Sequence, residues 1–153
     1  MRPFCFLLLA FCTPGLTVGQ GAKGPGLPAQ PKKDPVAQDL KALEGTWLVI
    51  SHEINGQKAS DTDFRTFEKI VVSGGKMHFA DDIVLPFTID PTKSPKAIDL
   101  DLPGVMMAGA HLKGIYSLEK DELKLCHSQS PVGKRPKQFS SDKLELFVLK
   151  RKK

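Results

Sequence analysis

From residue 46 onward, apolar and polar residues alternate in short runs, the period of a half-buried strand. The runs are "TWLVISHEI" (46–54), "TFEKIVVS" (66–73), "KMHFA" (76–80), "IVLPFTID" (83–90), "KAIDLDL" (96–102), "HLKGIYSLE" (111–119), "ELKLCHSQ" (122–129) and "KLELFVLK" (143–150). Turn formers separate them: Asn55-Gly56, Gly74-Gly75, Asp81-Asp82, "DPTKSP", Pro103-Gly104 and Lys120-Asp121. Short strands joined by close turns indicate an all-β sandwich or barrel. Eight in sequence favour a small up-and-down barrel, which leaves no edge exposed. One segment ahead of them has a different period. Val36, Leu40 and Leu43 fall at i, i+4 and i+7, behind Asp34 as N-cap and Pro35 at the first helical position, with Gly45 as the stop. A helix this short does not hold in water alone, so it must pack against the barrel.

Before the helix the chain carries no strand or helix pattern. Arg2 followed by the apolar run "FCFLLLAFC" (4–12) and by Thr17-Val18-Gly19 has the layout of a cleaved export signal, residues 1–19. The run is too short to span a bilayer as a helix. Export to the periplasm or the extracellular space is the expectation. A lipid anchor at Cys12 is the lesser alternative, because Phe11 stands where a small residue is needed. Residues 20–34 are dense in Gly and Pro and read as a flexible linker, with the folded domain at 35–153. Cleavage removes Cys5 and Cys12 and leaves Cys126 alone, so no internal disulfide can form and the fold rests on its apolar core.

The 153-residue chain has a formal net charge of +5, which loses one positive charge with Arg2. The basic residues cluster at Lys32-Lys33, "GKRPK" (133–137) and "KRKK" (150–153), without aromatic residues arranged for base stacking. Nucleic acid is therefore not an expected partner; a solvated surface is the ordinary reading, and contact with an anionic envelope component the sharper one. His52, His78, His111 and His127 lack metal-ligand spacing, and "DTD", "DD" and "DLD" lack calcium-loop spacing. No nucleophile elbow, phosphate loop or tuned carboxylate pair is present. The expectation is a non-enzymatic protein without metal or cofactor, with no membrane span, and monomeric.

The motifs "LEGTW" after a short helix, "IDPTKSPKAIDL", "GIYSLEKDELKLC", "GKRPKQFSS" and a last strand ending "LKRKK" resemble a family of secreted bacterial domains with a lipocalin-like fold, abundant in planctomycete-type bacteria. The likeness runs from about Leu40 to Arg151 in the same motif order, with "VMMAGAH" (105–111) more apolar than the loop expected there. It implies a small lipocalin-like barrel and no particular activity. Gly45-Thr46-Trp47 is similar to the Gly-x-Trp start of lipocalins, which implies Trp47 at the barrel base.

Parity then selects candidate site residues. Leu123, Leu125 and His127 share one strand face, and Lys124, Cys126 and Ser128 the other. If the leucines face the core, His127 points inward and Cys126 outward, so the two cannot form a thiolate–imidazole pair. Cys126 reads as an inert strand thiol. Tyr116 shares the parity of Leu112 and Leu118 and is placed inside with His127. Glu53 shares the parity of Trp47 and Val49, but at a strand end where solvent is favoured. The candidate ligand-binding residues are Trp47, Tyr116 and His127, with residues 55–67 as a loop over the mouth. Two readings follow. The first is a carrier that holds a small apolar ligand in its lumen. The second is a barrel filled by Trp47, Phe79, Phe87, Leu100 and Tyr116, acting as an envelope protein–protein or anionic-polymer interaction module.

Overall fold

The computed structural model describes residues 34–79, 83–104 and 109–153. The stretch read as an export signal, with Cys5 and Cys12, and the stretch read as a linker, up to residue 33, lie outside them, as do residues 80–82 and 105–108. Helix α1 covers Pro35–Leu43, and the Asp34 side chain accepts a hydrogen bond from the Val36 amide, as an N-cap does. The strands are β1 (Gly45–Ile54), β2 (Gln57–Lys58), β3 (Lys69–Ser73), β4 (Lys76–Phe79), β5 (Ile83–Asp90), β6 (Lys96–Asp101), β7 (His111–Glu119), β8 (Glu122–Ser128) and β9 (Leu144–Arg151). β1 and β3 to β9 pair in order, each antiparallel to the next, and β9 returns to pair with β1. The molecule is thus an all-β, closed eight-stranded up-and-down barrel with a short N-terminal helix. The two-residue β2 only extends the outer end of β1.

The connection read as a mouth loop is partly helical. Helix α2 (Asp61–Thr66) replaces the start of the second expected strand, with the Ser60 hydroxyl accepting from the Asp63 amide at 3.1 Å. Asp61 and Asp63 in its first turn suit the helix dipole, a signal outweighed in the sequence by the polar, turn-like composition of the stretch.

The barrel has two unlike ends. At the base lie α1, the start of β1 and the end of β9. Leu43 and Trp47 are completely buried there, and the Trp47 indole N–H donates to the Leu43 carbonyl at 2.8 Å. The Arg151 guanidinium lies 4.2 Å from the centre of the Trp47 ring and donates to the carbonyls of Glu44 and Ala42, the last turn of α1. Gly45 leaves room for it: a Cβ there would stand 2.8 Å from Arg151 Nη1, on a backbone with φ of +126°. Tyr116 also belongs to this end. Its hydroxyl donates to Asp39 Oδ2 on α1 at 2.7 Å, and Lys96 Nζ reaches the same oxygen at 2.6 Å. The placement of Tyr116 beside His127 expected from parity is therefore corrected. Both face inward, but Tyr116 aligns with Leu125 and Lys96, one step nearer the base than the His127–Gly114 pair.

Cys126 departs from expectation in a second way. It faces outward, yet it is completely buried, because residues 129–143 fold back over the outside of β6–β8. Arg135 fastens this strap: one guanidinium nitrogen donates to the carbonyls of Ile98 and Gly114 at 3.0 and 2.6 Å, and the other to Asp99 at 2.9 Å.

Two outcomes test the base. Leu43→Ala should cost about 2–5 kcal/mol, the range for a buried leucine, read as a lower denaturation midpoint; an unchanged midpoint would detach α1 from the folded unit. Burial alone would raise the Asp39 carboxyl, but the hydrogen bonds from Lys96 and Tyr116 and the lysine charge outweigh it and hold it below its ordinary 3.8. A depressed folded value stabilises the fold above the unfolded value and is lost as pH falls through the folded one. The stability advantage of the wild type over Asp39→Asn should therefore be full at about pH 6 and shrink by about pH 3 in urea titrations.

Candidate functional site

Among the described residues, the barrel is not filled at the end away from α1. A cavity of about 160 Å³ is lined by Phe67, Phe79, Ile83, Leu85, Leu102, Leu112, His127, Glu145 and Phe147. Among the described residues its walls are apolar except for one imidazole and one carboxylate.

These polar groups arrive by strand register. On β9, Glu145, Phe147, Leu149 and Arg151 have one parity; Phe147 and Leu149 are buried in the core. Glu145 pairs with His127 of β8 on one side and Ile54 of β1 on the other. On β1 the register shifts between Val49 and Ser51, a bulge that leaves Ile50 exposed. Beyond the bulge the inward parity changes by one residue. His52, not Glu53, turns into the barrel and aligns with Phe147. Glu53 turns out and accepts a hydrogen bond from the Ser141 hydroxyl at 2.7 Å.

The result is a row of three side chains. His52 Nε2 stands 2.8 Å from Glu145 Oε1, and His127 Nε2 stands 3.9 Å from Glu145 Oε2. The carboxylate accepts, so His52 carries its proton on Nε2. His52 Nδ1 is then a buried nitrogen without a hydrogen-bond partner. Phe147 stacks on His52 at 4.1 Å between ring centres and more loosely on His127 at 6.0 Å. Gly114, paired with His127, allows the close approach of β8: a Cβ there would lie 2.9 Å from the Cys126 carbonyl oxygen and 3.0 Å from the His127 Cβ.

Of the three residues named from the sequence, the structure brings only His127 to this cavity. Trp47 and Tyr116 are part of the packed base. Missing from the expectation were His52 and Glu145. His52 is hidden by a bulge that no motif announces. Glu145 is hidden because the other face of β9, Leu144, Leu146 and Val148, looks the more apolar in sequence.

A larger cleft of about 720 Å³ lies outside the barrel, between residues 88–99 and the strap at Arg135–Lys137. Its central charges are already matched: Arg135 with Asp99 at 2.7 Å and Lys93 with Asp90 at 3.8 Å. Asp99 Oδ1 is buried there without a hydrogen bond, but the Arg135 charge stands beside it. At the mouth a carboxylate oxygen faces the hollow with no lysine or arginine ion pair among the described residues, so the mouth cavity is taken as the candidate site. Among the described residues no three His, Cys, Asp or Glu side chains converge to hold a metal ion, and none of the helices is long and apolar enough to cross a membrane. No protein-family model, no curated protein and no solved structure matches the chain.

Cys126 lies outside this site. Its thiol donates to the Ser140 carbonyl at 3.2 Å, and burial pushes its pKa up despite that bond. A thiol held protonated under a strap reacts slowly. Maleimide labelling of native protein should therefore be slow and accelerate on unfolding in urea; fast native labelling would show that the strap does not cover it.

Proposed function

We propose that the protein is an exported, non-enzymatic carrier that holds one small, largely apolar ligand in the mouth of its barrel. One observation carries this: an apolar cavity with a carboxylate and an imidazole converging in it, above a base that is otherwise packed. A few placed polar groups in an apolar hollow are the usual composition of a small-molecule site. The packed base limits the ligand. Trp47, Phe87, Leu100 and Tyr116 are all buried in the core, so a long lipid has no room below the mouth, where Phe79 already forms part of the wall. A cavity of about 150 Å³ is large enough for benzene, and this one, at 160 Å³, suits a body of one ring or a short branched chain. Export rests on residues 1–19 and is part of the same proposal, as is membership of the secreted lipocalin-like family, which rests on the quoted motifs alone.

The filled base favours a second reading, a barrel that works through its outer surface on an envelope protein or an anionic polymer. Against it, two of the arginines counted as surface charge are engaged internally. Arg135 fastens the strap and Arg151 covers Trp47, which thins two of the three basic clusters.

Toluene, titrated by calorimetry at several temperatures, should bind saturably with a negative heat-capacity change. Leu112→Trp, which fills the cavity, should abolish that binding. If neither toluene nor any polar one-ring probe binds saturably to the wild type, the carrier reading falls and the surface module stands.

A further inference from the structure

We infer that the mouth cavity selects a ligand that donates hydrogen bonds, a small ammonium or amine on an apolar body, and discriminates against carboxylates; this rests on the cavity being the ligand site. The inference follows from where the protons on the histidine row must be. His127 Nδ1 lies 3.0 Å from the Ser128 carbonyl oxygen. A carbonyl can only accept, so Nδ1 carries the proton, and in the neutral ring Nε2 presents a lone pair. That lone pair faces Glu145 Oε2, which is also an acceptor, at 3.9 Å. The distance is too long for a hydrogen bond. On the other side, Glu145 Oε1 is satisfied by His52 Nε2–H at 2.8 Å.

With His127 neutral, the row is complete on the His52 side and open on the His127 side, with two acceptors at the cavity wall and, among the described residues, no donor between them. A group bearing two or three N–H bonds satisfies both at once. A ligand carboxylate would bring a third acceptor and a like charge. Among the described residues, Glu145 forms ion pairs only with the two imidazoles and with no lysine or arginine, so no fixed cation already neutralises it. With the His52 proton on Nε2, its buried and unpartnered Nδ1 is a further acceptor in the neutral ring and not a donor. The phenylalanine and leucine walls supply the apolar contact, and the 160 Å³ volume restricts the body to about the size of a benzyl group.

The test compares three one-ring probes on the wild-type protein at pH 7.5: benzylamine, toluene and benzoate. Benzylamine should bind at least about tenfold more tightly than toluene, as one charge-assisted hydrogen bond allows, and benzoate more weakly than toluene. Benzylamine, and not toluene, should shift the His127 Nε2 resonance in nitrogen-15 spectra. Glu145→Gln should lower benzylamine affinity by a similar factor and leave toluene unchanged. Equal affinity for benzylamine and toluene would overturn the inference, showing that a proton on His127 already bridges the two acceptors, while the cavity would remain a ligand site. Failure of all three probes to bind would overturn the inference together with the reading beneath it.

Discussion

The contact on which the rest depends is Arg151 against Trp47 and the end of α1. A barrel closes only if its first and last strands pair, and here those strands are also the ones that the helix must cap. Arg151 serves both needs. Its cation lies over the indole ring, and its N–H groups satisfy two carbonyls that the helix end would leave without partners. Trp47 meanwhile donates to the carbonyl of Leu43. Helix, first strand and last strand are thus held at one point, in a domain where the one described cysteine is free. The Asp39–Tyr116–Lys96 cluster repeats the principle between α1 and the sixth and seventh strands. A charged helix group is buried only where donors meet it.

This concentration of large side chains at the base determines what the mouth can be. An eight-stranded barrel has an interior just wide enough to be filled by side chains. Trp47, Tyr116, Met77, Phe87 and Leu149 fill it from α1 upward. Near the mouth the inward residues are Phe67, Phe79, Phe147 and His127, with glycine at 114 contributing no side chain at all. Gly114 lets the neighbouring strand draw close and does not itself open the hollow; space appears where flat rings cannot interlock as leucines do. The cavity is small for the same reason that the barrel stands without disulfides: most of its lumen is core.

Much of this was legible in the sequence. Strands β5 and β7 have the bounds that alternation gives, the helix begins at its N-cap, and the eight barrel strands follow in order. What was not legible is tertiary. Parity within a strand places His127 inward, but it cannot say how far along the barrel Tyr116 lies from it; that depends on the stagger between neighbouring strands. A single bulged residue at Ile50 reverses parity for the rest of β1, exchanging Glu53 for His52 inside. Cys126 reads as exposed because alternation describes only the faces of a strand, and nothing local reveals that residues 129–143 will return to cover one of them.

The two ends of β9 make the sharpest contrast. Its inward face reads Glu145, Phe147, Leu149, Arg151, a charge at each end of an apolar run. Taking a charge out of water is costly unless partners replace the water. At the base the replacement is complete: a ring face and two carbonyls surround the Arg151 guanidinium. At the mouth it is half complete. One Glu145 oxygen holds the His52 proton, and the other faces an imidazole nitrogen that is itself an acceptor. Glu145 is only half-buried, so water entering the hollow can meet the oxygen that His52 leaves free. A carboxylate beside a cavity, with one oxygen unmatched by any donor among the described residues, marks the place in the barrel where a hydrogen-bond donor from solution would meet least competition.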